Sequence, residues 1–302
     1  MKKLILLILI IPLISFGQKE EEYIDSGDSK YEQNDFEGAI EDYTKAIELN
    51  PDSGAYFNRG IVKSRLGDHN GGMVDFNKAI ELNPDLGIAY YNRGITKRTL
   101  GDLNGAIADF TISIVLNPED NFAEVYYQRG NSKSELKDYY GAIEDLTKAI
   151  RLEPDNVGAY NDRGLDFKTL GYDQLALEDF NKVIELEPDY TPGYQKRGVV
   201  KFNLGDVEGA IEDYTKAIEM DSDYTYAYFT RGIAKEFLGD LNGCITDYTK
   251  VIELDPENPI GYFNRGLAKD KLNDYEGACA DWREAARLGD EKAAEWVKND
   301  CN

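Results

Sequence analysis

Residues 87–118, GIAYYNRGITKRTLGDLNGAIADFTISIVLNP, hold one complete copy of the unit from which the chain is built. Tyr90, Gly94 and Leu100 follow one another at helical spacings and predict a first helix. Asp102 then stands where a second helix would begin, because its carboxylate can accept hydrogen bonds from the exposed N–H groups of a first turn. The stretch therefore predicts two helices joined by a short turn.

The second helix of this unit has an apolar face through Ala106, Phe110 and Ile114. Pro118 closes it, because the ring of proline cannot continue a helix. The small residues let the two helices approach closely, and the aromatic ring fills the space beside them. A single pair of this kind cannot cover its own apolar face, so neighbouring pairs must stack.

The same unit recurs eight times. A tyrosine stands four residues before a glycine in every copy, and a small residue stands twelve after it. The glycines, spaced by 33 to 36 residues, are Gly27, Gly60, Gly94, Gly130, Gly164, Gly198, Gly232 and Gly266. Such a period over about 265 residues indicates one solenoid rather than two globular domains.

With the glycine numbered as unit position 8, the chain resembles the tetratricopeptide repeat (TPR) family. The match rests on the 34-residue period, an aromatic residue at position 4, small residues at 20 and 27, a large residue at 24 and proline at 32. The resemblance implies an all-α fold, a right-handed superhelical solenoid of eight helix-turn-helix units over residues 18–289. A C-terminal capping helix and tail would follow in residues 290–302. The match is specific for fold but not for function, since the family is a scaffold with many partners.

Residues 1–17 have the features of a secretory signal. Lys2 and Lys3 precede an uncharged run from Leu4 to Phe16, and the small residue Gly17 follows. The run is shorter than the roughly 20 residues that a membrane-spanning helix needs. The sequence therefore predicts cleavage after Gly17 and an exported protein, periplasmic or secreted, with no stable membrane insertion. An uncleaved membrane anchor is the alternative.

The composition limits the classes of partner and site. The chain has 57 acidic and 34 basic residues and a formal charge of -23, which argues against nucleic acid as a partner. It has a single histidine, and no Cys–His pair, phosphate-binding glycine loop or EF-hand spacing is present. The sequence thus predicts no catalytic residue, no metal and no cofactor.

Two repeat positions carry a charged residue in nearly every copy and depart from the family pattern; we call the set of residues at one position of the repeats a column. Seven units have arginine at position 7, and all eight have aspartate at position 23. An unpaired charge at a helix interface is costly, so the columns predict partly buried Arg–Asp pairs. Pairing each aspartate with the arginine of the next unit leaves only Asp281 over, whereas pairing within a unit leaves Asp42 without a partner. We expect the pairing between units. A basic strip that binds anionic ligands is the functional alternative.

The cysteines suggest one cross-link. Cys244 occupies a small-residue position and is expected to replace a buried alanine. Cys279 lies near the start of the last second helix, and Cys301 follows a final helical stretch, residues 291–298. If that stretch folds back on the last unit, Cys279 and Cys301 meet, and an exported protein can keep a disulfide there.

The resemblance implies a concave groove lined by the first helices, mainly by positions 2, 5, 6, 9, 12 and 13. Aromatic residues at position 5 and amides at position 6 suit an extended peptide or a partner helix. The candidate groove residues are Phe57, Asn58, Tyr91, Asn92, Tyr127, Gln128, Phe229, Phe263 and Asn264. The alternative is that these rings only pack against neighbouring repeats. Position 9 is apolar, so the carboxylate clamp of the family's chaperone-tail binders is not expected.

The function that these features favour is a non-enzymatic protein–protein interaction scaffold of the bacterial cell envelope. It would bind a peptide segment or helix of a partner protein in the concave groove. The alternative is a carbohydrate- or cell-wall-binding protein of the envelope, since exposed aromatic rings beside Asn and Gln also suit the faces of sugars. The sequence predicts neither the partner's identity nor the oligomeric state.

Overall fold

The structure, a computed structural model, describes residues 19–117 and 123–301. These residues form helices joined by short turns and contain no strand. The predicted signal, residues 1–17, lies outside the described residues. The helices are α1 (19–32), α2 (Phe36–Leu49), α3 (Ser53–Arg65), α4 (His69–Leu82), α5 (Gly87–Thr99), α6 (Leu103–Leu116), α7 (Ala123–Glu135), α8 (Tyr139–Leu152), α9 (Val157–Thr169), α10 (Asp173–Leu186), α11 (Thr191–Asn203), α12 (Val207–Met220), α13 (Thr225–Phe237), α14 (Leu241–Leu254), α15 (Pro259–Lys271), α16 (Tyr275–Arg287) and α17 (Glu291–Asp300).

The helices form consecutive helix-turn-helix pairs, which confirms the all-α repeat fold. They group into two compact units, Met1–Pro154 with α1 to α8 and Asp155–Asn302 with α9 to α17. The boundary falls between the fourth and fifth repeats. The single domain over residues 18–289 and the superhelical twist stay predictions. None of the helices in the described ranges is long and apolar enough to cross a membrane.

Seven of the eight second helices begin at an aspartate cap, as the sequence predicts. Asp68 shows the arrangement, since its Oδ1 accepts a hydrogen bond of 2.8 Å from the backbone N–H of Gly71. The same bond joins Asp35 to Gly38, Asp102 to Gly105, Asp138 to Gly141, Asp206 to Gly209, Asp240 to Gly243 and Asp274 to Gly277. The fifth repeat differs in both partners, because Tyr172 and Leu175 replace the aspartate and the glycine, and Tyr172 makes no capping bond.

The core of each repeat is a close contact between its two helices. A Cβ atom on Gly60 would lie 2.8 Å from the ring of Phe76, so only glycine fits at this position of α3. Gly94 meets Phe110 and Gly232 meets Tyr248 in the same way, at 2.7 Å in each case. The large residue at position 24 thus packs on the glycine of its own repeat.

The arginines at position 7 and the aspartates at position 23 form ion pairs, but within each repeat. The expected pairing between neighbouring repeats is therefore wrong. In the second repeat, Arg59 Nε and Nη2 donate to the two carboxylate oxygens of Asp75 at 2.9 and 2.8 Å. The glycine–aromatic contact at positions 8 and 24 places the adjacent positions 7 and 23 opposite each other as well. Equivalent pairs are Arg93–Asp109, Arg129–Asp145, Arg163–Asp179, Arg197–Asp213, Arg231–Asp247 and Arg265–Asp281.

Within each compact unit, the third guanidinium nitrogen connects a repeat to the one before it. Arg59 Nη1 donates to Thr44 Oγ1 of the first repeat at 2.9 Å, and Arg93 Nη1 donates to Asn77 Oδ1 of the second at 2.7 Å. The arginine also lies over the tyrosine one turn earlier, with Arg59 5.5 Å from the ring centre of Tyr56. One side chain therefore joins two helices of its own repeat to the preceding repeat.

Pairing within a repeat leaves Asp42 without an arginine, but Asp42 has other partners. Ser26 replaces the arginine and donates to Asp42 at 2.7 Å, and Lys30 and Lys45 form ion pairs of 2.6 and 3.2 Å. Burial would raise the pKa of Asp42, but the bonds from Lys30, Ser26 and Lys45 outweigh it and lower the pKa to about 2. The first repeat thus neutralises its aspartate without an arginine.

α17 packs on the last repeat. In the structure Cys279 and Cys301 form a disulfide bond, and the N–H group of Arg283 Nη2 donates to the carbonyl of Cys301 at 2.9 Å. The ring of Trp296 lies edge-on to Trp282, with 4.8 Å between ring centres, and 5.6 Å from Phe263. The segment occupies the position that the sequence predicts for a capping helix.

Candidate protein-binding surface

The predicted groove residues all lie on first helices. We call the side of these helices that carries positions 2, 5, 6, 9, 12 and 13 the first-helix face; it belongs to α1, α3, α5 and α7 in one unit and to α9, α11, α13 and α15 in the other. All nine candidate residues are half-buried. They are Phe57, Asn58, Tyr91, Asn92, Tyr127 and Gln128 in the first unit and Phe229, Phe263 and Asn264 in the second.

The aromatic rings at position 5 pack partly against their own repeats. The centres of Phe57 and Phe76 lie 6.0 Å apart, and those of Phe229 and Tyr248 lie 6.1 Å apart. Phe263 packs on Trp296 of α17. Burial raises the pKa of Tyr91 to about 12, with a smaller effect of the Glu124 charge. Phe57, Tyr91 and Phe229 thus each pack on the second helix of their own repeat, and Phe263 packs on α17.

The amides at position 6 already donate hydrogen bonds within the protein. Asn58 Nδ2 donates to Asp28 Oδ1 at 3.0 Å, and Gln128 Nε2 donates to Glu124 Oε1 at 2.6 Å. Asn92 and Asn264 each donate to the carbonyl of the residue four positions earlier. Binding of a peptide backbone by these amides would have to replace such bonds or use the oxygen atoms.

In the first unit the face is polar where α5 and α7 meet. Arg98 forms an ion pair of 2.6 Å with Glu135 and donates to the side-chain oxygen of Gln128. A cavity of about 450 Å³ lies here, lined by Ile95, Arg98, Thr99, Gln128 and Glu135. The charged groups of this cavity, Arg98 and Glu135, already pair with each other, so they do not require a charged ligand.

In the second unit the face interrupts its aromatic column, as the sequence shows. Asn161 and Gln195 take position 5 of α9 and α11, and Lys196 Nζ donates to Asn161 Oδ1 at 2.5 Å. Gln195 is 4% exposed, and its Nε2 has no hydrogen-bond partner among the described residues. Burial lowers the pKa of Lys196, and the charge of Asp162 acts in the opposite direction.

α13 carries an apolar stripe that singling out positions 5 and 6 missed. Tyr226, Phe229, Ile233 and Phe237 follow at spacings of three, four and four residues, so they share one side of the helix. Tyr226 is 53% exposed and Phe237 is 71% exposed. Phe237 is the one apolar residue at position 13 among the eight repeats, and this departure from its column was the available signal.

Beside this stripe a second cavity opens between α13 and α15. It measures about 290 Å³ and is lined by Thr225, Tyr226, Phe229, Val251, Asp255, Asn258 and Ile260. Val251 of α14 is buried at its base, and Ile260 is 46% exposed at its side. Among the described residues, no group of three or more His, Cys, Asp or Glu side chains could hold a metal ion.

Comparison with known families agrees with this repeat structure. Sequence profiles described as TPR repeat match residues 27–67 and 238–272. Profiles described as tetratricopeptide repeat match residues 53–86, 123–156, 157–190 and 191–224. Together these matches span well over half of the chain. A comparison with the curated proteins found no match.

Solved structures of repeat proteins are similar to the chain. YrrB, described as a TPR protein with an unusual peptide-binding site, is 25% identical, with a TM-score of 0.56 over 61% of this chain and 95% of YrrB. MamA is 25% identical, with a TM-score of 0.53 over 58% of this chain and 94% of MamA. The C-terminal part of a TPR repeat-containing protein from Cytophaga hutchinsonii is 18% identical, with a TM-score of 0.68 over 80% and 98% of the two chains.

Proposed function

Since the chain belongs to the tetratricopeptide repeat family, we propose that it is a protein-interaction scaffold that binds a peptide segment or helix of a partner on its first-helix face. Repeat proteins of this family are generally non-catalytic scaffolds, and YrrB, at 25% identity, is described as having a peptide-binding site. Both observations support the proposal. The partner is a protein, and its identity is the object of the test below.

The observation that carries the proposal is the apolar stripe of α13. Large aromatic side chains on a water-facing helix are unfavourable unless a partner covers them, and Tyr and Phe are enriched in protein interfaces. Tyr226 and Phe237, more than half exposed at the two ends of the stripe, fit an extended segment or helix lying along the first-helix face.

We propose further that the protein works outside the cytoplasm, in the periplasm or as a secreted protein of a bacterial cell. The features of residues 1–17 support this, because a basic start, an apolar run and a small residue are those of a secretory signal. The Cys279–Cys301 disulfide is compatible with an oxidising compartment.

The test compares capture of partners by the wild-type protein and by Tyr226→Ala/Phe237→Ala. These residues are better choices than Phe57 and Tyr91, whose rings pack against second helices, because both are more than half exposed and their ring contacts, with Phe229 and Phe202, lie on first helices. Tyr275→Ala, 61% exposed at the start of α16, is the matched control. Proteins crosslinked from the envelope fraction of the host would be identified and divided into overlapping synthetic peptides.

We expect at least one peptide that binds the wild type and the control equally and the double variant about tenfold more weakly. Equal binding to all three proteins would contradict the proposal. If no peptide binds but glycans on an array do, the carbohydrate-binding alternative is correct.

A further inference from the structure

We propose that the cavity between α13 and α15 binds an apolar side chain of the partner that is flanked by lysine or arginine, with the cation beside Asp255. The proposal rests on the peptide-binding function above and specifies the chemistry of the peptide. It commits the site to a basic, apolar segment of protein rather than to an acidic one.

The size and lining of the cavity suit one side chain. Its volume of about 290 Å³ is at the lower end of the range for ligand pockets, roughly 300 to 1,000 Å³, and can hold one large apolar side chain. Tyr226, Phe229, Val251 and Ile260 present carbon atoms to it. The ring of Phe229 is held between Tyr226 and Tyr248, with centres 6.4 and 6.1 Å away, so the apolar wall is fixed before a ligand arrives.

The charge beside the cavity is negative and uncompensated. Asp255 lines it and is half-buried, and within the part of the chain that the structure describes no lysine or arginine forms an ion pair with this carboxylate. Asp270, at position 12 on the first-helix face of α15 and outside the cavity lining, also has no ion pair among the described residues.

The lysine and arginine side chains of α13 and α15 form ion pairs with other carboxylates. Lys271 pairs with Glu236 at 2.7 Å. The others form ion pairs with the buried aspartates of their own repeats: Arg231 and Lys235 with Asp247, and Arg265 and Lys269 with Asp281. The carboxylate of Asp255 is thus left beside an apolar cavity in a chain of net charge -23, so a cationic segment is the complementary partner.

The junctions between other first helices within a unit lack this combination of an aromatic residue, a carboxylate and an apolar residue. Between α3 and α5 the corresponding residues are Phe57, Asn83 and Ile88, which are aromatic, neutral and apolar. At α11 and α13 they are Gln195, Asp221 and Tyr226, with a carboxylate but no aromatic residue at position 5. The α13–α15 junction joins Phe229, Asp255 and Ile260. Asp255→Asn would therefore give it the set of residue types found at the α3–α5 junction.

The experiment selects a library of random seven-residue peptides, displayed on phage, against the purified full-length protein. The selected peptides are then synthesised and titrated against the wild type, Tyr226→Ala, Asp255→Asn and Glu253→Gln. Glu253 is an exposed carboxylate on α14 outside the cavity, so Glu253→Gln is a control for the loss of one negative charge.

We expect selected peptides to share an apolar residue next to lysine or arginine. Asp255→Asn should weaken their binding about three- to tenfold and reduce its dependence on salt, whereas Glu253→Gln should leave both unchanged. Tyr226→Ala should weaken binding at all salt concentrations, because it removes apolar contact.

Selected peptides that lack a cation, or that bind Asp255→Asn as well as the wild type, would overturn this inference and leave the peptide-binding function standing. Failure to select any peptide that distinguishes the wild type from Tyr226→Ala/Phe237→Ala would overturn both.

Discussion

Asp68 and Gly71 show how a side chain at one position can require the absence of a side chain three residues later. A Cβ atom on Gly71 would collide with Asp68 Oδ2, so the carboxylate can cap the helix only if position 19 is glycine. The fifth repeat, with Tyr172 and Leu175, lacks both members. The two positions therefore act as a pair within a single chain.

We predict that the effect of Gly71→Ala on stability depends on the residue at position 68. In the wild type it disrupts a cap that contributes about 1 kcal/mol, which cancels the gain from a better helix former. In an Asp68→Ala background the same change should stabilise the protein by about 0.5–1 kcal/mol. Urea unfolding of the four proteins gives the coupling energy, and additive effects would contradict the pairing.

Asp179 is the least compensated of the buried aspartates paired with arginine. Elsewhere a lysine at position 11 binds the second carboxylate oxygen, as Lys201 does for Asp213 at 3.0 Å, but the fifth repeat has Phe167 there. Burial raises the pKa of Asp179 above its ordinary value, although the bond and the charge of Arg163 act against the rise.

This shift predicts a pH dependence with a definite sign. The folded state holds the proton of Asp179 more tightly than the unfolded state, so the stabilisation is complete below about pH 4 and is lost as the pH rises through the folded pKa. Asp179→Asn stays neutral and does not lose it. The destabilisation by Asp179→Asn, measured by urea unfolding, should therefore be smaller at pH 7 than at about pH 4, and smaller than that of Asp213→Asn at pH 7. A larger cost at pH 7 than at pH 4 would refute this.

At the scale of helices, the arginine at position 7 is the main polar connection between elements. It binds the aspartate of the second helix in two places, lies over a tyrosine of its own helix and reaches back to the preceding repeat. The lysine at position 11 adds a second cation to the same carboxylate, as with Lys63 and Asp75 at 2.8 Å. Six of the eight repeats thus bury one carboxylate beside this arginine and lysine, whereas the first has Ser26 at position 7 and the fifth has Phe167 at position 11.

We predict that Arg59→Ala lowers the free energy of unfolding by about 2–4 kcal/mol, because the buried carboxylate of Asp75 keeps only Lys63. Hydrogen exchange should show the loss in α3 and α4 first. Arg287→Ala, which breaks an exposed pair with Glu284, is the control and should lower the free energy of unfolding far less, because solvent screens an exposed pair. Equal effects of the two changes would mean that the column is not structural.

At the scale of the whole molecule, the negative charge is distributed by the repeat. Aspartates at position 23 and at the helix caps recur in nearly every copy, so much of the charge of -23 is a packing feature multiplied by eight. Only carboxylates without an internal partner, such as Asp255, bear on the choice of ligand. Net charge alone is therefore a weak guide to the partner.

Processing and oxidation give a prediction for the entire chain. Protein purified after export should begin at Gln18 and should have one thiol, Cys244, with Cys279 and Cys301 joined. Burial raises the pKa of Cys244 to about 11, so its thiol should react with an alkylating reagent only after unfolding. Intact mass spectrometry with and without denaturant measures both. A retained residue 1–17 segment would contradict cleavage, and three thiols would exclude the disulfide.

The sequence by itself determined the features that depend on short spacings. The helix pairs and the aspartate caps follow from residue types at fixed intervals, because a helix brings residues three or four apart together. Eight copies of the pattern made each of these assignments independent of any single residue.

Only the tertiary structure decided which aspartate each arginine meets. Arg59 lies 16 residues before Asp75 and 17 after Asp42, and in a tandem repeat both spacings recur with the same period. The contact of Gly60 with Phe76 across the helix pair makes the choice. The exposure of Tyr226 and Phe237 and the unpaired carboxylate of Asp255 likewise depend on which neighbours surround them in space, and periodicity in one dimension does not contain that information.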